Sequence, residues 1–542
     1  MSSLLVFGHQ NPDTDAICSA IAYADFLRAT TRPDAVAACC GTPNQRTEFA
    51  LRKAGVQAPR IIMDIRPEIE DVCTRNPVVA RHDEVFYDVY QRMQDGGLRA
   101  IPVLGIDDKS DQPRIHLLSG ILAGGAANGA THLQQGLHKA GVNSRLYYPP
   151  SLKVSSEIER LQQDGCQPLT WNISGLDKLK RKIGHRIDRQ LFKQKIRGRD
   201  PGQEIFTSPR GAPHTPWPPT NIQPQKNDVI HLHWVAKFID YTSFFQSLPK
   251  GQPVIWTLHD MNPFTGGCHF TEGCEQFVKH CGNCPQLPSA RPDDISRHAF
   301  TTKMNALRDV NLHVVTVSHW MREQSKKSPI FEQARSYHHI PYGLEIDIFK
   351  PVNKQEARQQ LGIDNETFVF SFGAADIRNR RKGLKPLLKS LEVIADLPNT
   401  LGLVFGGGGI PQVGHTFPEL RMMGFIRDIQ QMVLIHSASD VFIMPSLEDN
   451  LPFTCLEALA TGTPVIGFDA GGVPDMVRPG VTGWIAPTGD ANAMGNQLKY
   501  VAEHREEANN LGLRAREIAV KEYSQEREVA DYTKLYQDVL QP

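Results

Sequence analysis

The chain has 542 residues, enough for three or four domains at roughly 150 residues each, and long enough to bury sizeable cores. Lys plus Arg balance Asp plus Glu at 59 each, so net charge gives no reason to expect nucleic acid or an anionic membrane as partner. No apolar run approaches the ~18–20 residues that span a bilayer. The first residues lack the basic n-region of a signal peptide, and the ten cysteines, including adjacent Cys39 and Cys40, do not form a secreted disulfide framework. A cytoplasmic, reducing location is therefore expected. The first predicted element is a short buried strand, Leu4–Phe7, followed by the loop Gly8–Asp15 and an apolar helix from Ala16 to Leu27. An α/β fold places ligands where a strand ends in such a loop. His9, Asp13 and Asp15 offer nitrogen and oxygen donors suited to Mn²⁺.

Residues Gly8–Asp25 (GHQNPDTDAICSAIAYAD) resemble the opening of the DHH-superfamily, manganese-dependent (family II) inorganic pyrophosphatases, and Thr47–Val56 continue that likeness. Residues 64–103, ending in Gly97-Leu98-Arg99-Ala100-Ile101-Pro102-Val103, resemble a single CBS motif of the kind inserted in some of those enzymes. The resemblance then stops. No Asp-His-His tripeptide occurs in the chain, and three ligands leave a two-metal hydrolytic site half built. The expectation is a truncated fragment over 1–60 with vestigial Mn²⁺ ligands, then a partial CBS motif over 61–107.

After a polar linker, 108–113, Arg114–Gly120 reads as a strand. The turn that follows carries Gly124 and Gly125 and enters a helix running to about Ala140, where backbone can approach a ligand closely. The basic stretch Leu176–Arg199 predicts an amphipathic helix, with a solvated face as the plain reading and membrane-surface contact as the functional one. The proline-rich segment 208–224 is loop. Asp228–Trp234 and Pro253–Leu258 are buried strands, the second delivering His259 into the ligand crevice. Cys268, Cys274, Cys281 and Cys284, spaced C-x5-C-x6-C-x2-C, match a structural zinc site, with disulfides or free thiols as alternatives. Phe368–Gly373 opens a further run of strands. Arg378, Arg380, Arg381 and Lys382 follow it, cations suited to a departing diphosphate. Leu401–Phe405 meets a glycine run that includes Gly406 and Gly407. The strand Asp440–Ser446 then leads into a helix expected near Leu451, with Asp449 and Glu457 separated by seven residues. A helix start of this kind, here Asn450, Leu451 and Pro452, suits a diphosphate.

Residues 445–465 resemble the E-x7-E region of retaining family 4 GT-B glycosyltransferases, with Asp449 in the first acid position unless Glu448 takes it. Ile340-Pro341-Tyr342-Gly343 resembles that family's interdomain hinge, with Tyr342 where asparagine is usual; Met423–Ile426 and Val465–Asp475 also match in order. The resemblance implies two Rossmann-like domains, an acceptor-side domain over 114–343 and a nucleotide-sugar domain over 344–520, with one C-terminal helix, roughly Ala491 to Leu540, whose part over 521–542 crosses back. It implies His259 on the donor sugar, Lys382 with an arginine on the phosphates, Asp449 on sugar hydroxyls and Glu457 on ribose. It also implies a base contact near Phe425, a UDP- or GDP-sugar donor, a glycan or lipid-linked acceptor, and no catalytic metal. A Mn-dependent phosphohydrolase or a CBS-type regulatory fusion are the rival readings.

Overall fold

The computed structural model describes residues 4–7, 13–62, 80–81, 103–104, 113–152, 164–171, 186–200, 202–210, 215–223, 225, 227–410 and 418–541. The chain forms two compact units, Met1–Asp108 and Lys109–Pro542.

In the first unit, β1 (Leu5–Phe7), β2 (Val36–Cys39) and β3 (Arg60–Ile61) make a parallel sheet in that order, joined by α1 (Thr14–Thr30) and α2 (Gln45–Ala54). Asp13 is the N-cap of α1, its Oδ1 accepting the Ala16 amide at 2.9 Å. Ile17, Cys39 and Leu51 form the small core beneath. A short parallel pair, β4 (Ala80–Arg81) with β5 (Val103–Leu104), falls in the CBS-like stretch. His9 lies outside the described residues, as does most of that stretch, so of the expected manganese ligands only the cap Asp13 and the first-turn Asp15 are placed.

The second unit is built from two sheets. The first contains β6 (Arg114–Leu118), β7 (Ser144–Tyr148), β8 (Cys166–Pro168), β9 (Asp228–Leu232), β10 (Pro253–Leu258), β11 (Asn311–Thr316) and β12 (Ser336–His339), in the order 12-11-10-9-6-7-8. The second contains β13 (Phe368–Asp376), β14 (Thr400–Gly407), β15 (Glu419–Gly424), β16 (Val441–Met444), β17 (Val465–Phe468) and β18 (Gly483–Ala486), in the order 15-14-13-16-17-18. Every recorded pairing in both sheets is parallel. Strands buried on both faces explain the unbroken apolar runs in the sequence, such as the fully buried Val229–Leu232 and Val441–Met444. Strand order reverses beside β6 in one sheet and beside β13 in the other, and such switch points open a crevice at the carboxyl ends of the strands.

The stretch after Ala491 is three helices rather than one: α12 (Ala491–Glu503), α13 (Arg505–Glu522) and α14 (Gln525–Asp538). The last break comes where Ser524 caps α14, its hydroxyl accepting the Arg527 amide. There the chain also crosses the domain boundary, with Leu344 bonded to Tyr523 and Gln525 backbone. Val529, Tyr532, Leu535 and Tyr536 of α14 then pack into the first domain's core with Ile115, Leu133 and Leu137. No helix among the described residues is long and apolar enough to cross a membrane.

Candidate active site

The exits of β9, β10, β13 and β16 supply most of the site. β13 runs into a single 3₁₀ turn, Arg380–Lys382, closed by Gly383 at φ 71°. A Cβ on Gly383 would stand 1.7 Å from the Pro445 carbonyl oxygen, so only glycine lets the cationic turn lie against the exit of β16. Gly383→Ala is expected to destabilise the fold by on the order of 3 kcal/mol and to move Lys382, read out by urea unfolding beside ligand affinity.

That close approach joins three charges. Lys382 Nζ donates to Asp449 Oδ2 at 2.7 Å, and the Arg381 guanidinium lies 3.0 Å from Asp449 Oδ1. The Ser446 hydroxyl donates to the same carboxylate at 3.1 Å. Arg381 also donates to Glu204 Oε1 and to the Glu448 carbonyl, and it covers the Phe270 ring at 4.1 Å. Burial disfavours every charge here, yet Lys382 and Arg381 hold the Asp449 carboxyl well below the usual carboxylate range. Burial, joined by repulsion from Arg381, prevails at Lys382 and lowers its pKa. Burial also opposes the Arg381 charge, but Asp449 and Glu204 outweigh it and raise that pKa. The arginine that joins Lys382 on Asp449 is therefore Arg381. Arg378 is exposed and paired with Asp376, and Arg380 faces Asp200 at 3.8 Å.

Asp449 rather than Glu448 turns toward the cations. Glu448 reaches the first domain instead, accepting the Glu272 amide at 2.9 Å and approaching Thr271 at 3.4 Å. Asn450 bridges as well: its side-chain amide donates to the Leu258 and His259 carbonyls at 3.1 Å and accepts from Ser318 Oγ at 2.5 Å. Leu451 is core, and Pro452 is the N-cap of α10 (Phe453–Ala460). Glu457 sits on that helix. Its Oε2 is buried without a hydrogen-bond partner among the described residues, the His436 ring nitrogen standing 3.9 Å away.

From the first domain His259 arrives at the end of β10, hydrogen-bonded to His233 at 2.9 Å and to the Tyr342 hydroxyl at 2.5 Å. Burial holds its pKa down to about 4, so at neutral pH it is an uncharged hydrogen-bonding ring. Behind it, the adjoining, tilted rings of His231 and His233 lead to Thr257, Tyr532 and Tyr536, so α14 buttresses the histidine. The next residue, Asp260, faces away and anchors the following loop through Trp234, His269 and the Asn262 amide. His233 and Tyr342 escape sequence reasoning. The usable signal for His233 is its place just past β9, level with the exit of β10.

The glycines divide into two groups. Gly124, at φ 93°, and Gly125 begin α3 (Gly125–Lys139), and a Cβ at either would meet open space. Gly406 and Gly407 instead lie against the end of β13, where a Cβ would stand 1.8 Å from the Ala374 oxygen and 2.7 Å from that of Ala375. Phe425, just past β15, is exposed.

The four cysteines line one cavity of about 20 Å³ together with Phe206, Gly282 and Ser296, as free thiols rather than disulfides. His280, Cys281, Gly282 and Asn283 all have positive φ, which curls the chain tightly around the cavity. Burial pushes the Cys281 thiol up to about 12 and Cys284 up to about 11. The donor set suits zinc, which would have to displace those protons, although no three of the sulfurs approach within 4.8 Å of one another. The same loop carries Phe270, Thr271 and Glu272 to the Arg381–Glu448 edge of the site.

Comparison with known proteins bears on the fold that carries this site. The profile of the family described as "Glycosyl transferases group 1" matches residues 353–518, the second sheet and its helices. A putative glycosyltransferase, EpsD of Bacillus subtilis, is 26% identical over 207 residues, 36% of this chain and 52% of that protein. A probable manganese-dependent inorganic pyrophosphatase of Thermotoga maritima is 31% identical over 124 residues, 22% of this chain and 23% of that protein. The chain thus spans about half the length of one curated relative and about a quarter of the other. Among solved structures, sucrose-phosphate synthase of Thermosynechococcus elongatus aligns with TM-score 0.52 at 20% identity, over 79% of this chain and 99% of that one. Anabaena Alr3699/HepE in complex with UDP aligns with TM-score 0.50 at 14% identity, over 78% and 100%. The second unit has the GT-B fold.

Proposed function

We propose that the chain transfers a glycosyl group from a nucleoside diphosphate sugar to a glycan or lipid-linked acceptor, with retention at the anomeric carbon. The observation that carries this reading is the convergence of Lys382 and Arg381 on Asp449 at one switch point, with His259 brought from the other domain by the Asn450 bridge. A donor diphosphate would compete with Asp449 and Glu204 for the two cations, which would then stabilise the leaving nucleoside diphosphate as negative charge develops on it. Asp449, freed from Lys382, would accept hydrogen bonds from sugar hydroxyls. Glu457 would accept those of the ribose, since its buried oxygen lacks a partner. His259, uncharged, would exchange its His233 or Tyr342 partner for a hydrogen bond to the donor sugar, and the contacts of Asn450 and Glu448 across the cleft would exclude water during transfer. The similarity to a UDP-bound protein supports UDP as the first base to test. Zinc at the cysteine cavity would serve structure, holding the loop that faces Arg381.

The test is a thermal-shift panel of UDP, GDP and ADP with their common sugar conjugates. One nucleoside diphosphate at about 100 times its dissociation constant should add about 2.7 kcal/mol to the second unit. That response should vanish in Lys382→Ala. No response to any nucleotide would sink the reading.

A further inference from the structure

The cations and carboxylates of the active site leave one cluster of metal-type ligands unused. His319 opens α6 (His319–Lys326), His339 ends β12, and Asp475 lies in α11 (Val473–Met476) of the other domain. One ligand atom from each lies within 4.8 Å of the other two, the one such grouping among the described residues. The imidazole centroids are 3.9 Å apart. Asp475 Oδ2 accepts the His319 amide at 2.7 Å and stands 3.4 Å from its Nδ1.

The state of His339 is the second observation. Its Nε2 is buried with no hydrogen-bond partner among the described residues. In a neutral imidazole such a nitrogen can present its lone pair to a metal, as ligating histidines do. A buried acceptor without a partner is costly unless something fills the position. Arg527 is the cation whose charge also reaches this ring; its terminal nitrogens are taken by Asp531 at 2.9 Å and by the Pro341 carbonyl, while its buried Nε makes no hydrogen bond among the described residues.

We propose that His319, His339 and Asp475 form a site for a divalent transition-metal ion that fastens the two Rossmann-like domains in their closed arrangement. Two imidazoles and one carboxylate suit Zn²⁺, with a fourth position left for water. The ligands come from both sides of the cleft, next to the Ser318–Asn450 bridge, so a bound ion ties α6 and β12 to α11. The site lies outside the donor machinery and goes beyond the transferase reading, because it needs no nucleotide to fill.

Cobalt distinguishes this site from the thiols. Full-length protein stripped with a chelator and titrated with Co²⁺ is expected to bind one equivalent whose spectrum shows d–d bands without sulfur-to-metal charge transfer. Zn²⁺ should displace it and raise the melting temperature. His339→Ala and Asp475→Asn should each lose that equivalent and the zinc-dependent rise. If either melts early in chelator, His319→Gln provides the same test, since that side chain is 65% exposed and carries little packing. Unchanged cobalt uptake in the variants, or uptake seen only with thiolate charge transfer, would overturn the proposal.

Discussion

Asp449→Ala is expected to cost about 3–5 kcal/mol of folding stability and to abolish transfer, because it leaves buried Lys382 without a counter-charge beside Arg381, which keeps only Glu204. Lys382 and Arg381 share that one carboxylate, and all three groups are largely withdrawn from water. The double variant Asp449→Ala/Lys382→Met should recover part of the lost stability, since one unpaired charge goes with the other, yet remain inactive. Urea unfolding and release of nucleoside diphosphate measure the two effects separately. The pH dependence follows in sign. The folded-state pKa of Asp449 is depressed below its unfolded value of about 3.9, so its contribution is fully present above that pH. It is lost as pH falls through the folded value, and Asp449→Ala should flatten the acid limb of the stability curve. Lys382→Ala tests chemistry more than folding: a fall of roughly 10²–10³ in transfer rate is the scale for losing one group that stabilises developing charge.

Glu457→Gln should behave in the opposite way. The buried Oε2 has no hydrogen-bond partner among the described residues, so neutralising the side chain should leave the melting temperature unchanged or slightly higher. Affinity for the nucleoside diphosphate should fall roughly tenfold or more, as expected for hydrogen bonds to a charged acceptor worth about 1.5–3 kcal/mol. Calorimetric titration beside a melting curve separates the outcomes. Intact affinity with a lower melting temperature would make Glu457 a structural partner of His436 rather than a ribose ligand.

Local rules made much of this legible. Apolar runs bounded by turns mark β9, β10, β13 and β16, because strands buried on both faces need no alternation. The same runs put His259, Lys382 and Asp449 at strand exits, where parallel sheets hold their ligands. Propensity changes little across His504 and Tyr523, so the sequence reads as one helix; the second break comes from the Ser524 cap and the crossing back to the first domain.

The sequence by itself determined the two α/β halves, the order of their motifs and the residue types offered at each strand end, since periodicity and turn chemistry act over a few neighbours. Only the tertiary structure decided which of them meet. Arg381 was separated from Arg378 and Arg380 by the direction a single 3₁₀ turn takes above Gly383. Asp449 was separated from Glu448 because the loop bends at Leu447 and Glu448, sending one side chain toward the cations and the other across the cleft. Tyr342, out of pattern in the hinge, became the partner of His259 through an 83-residue separation that no local rule spans.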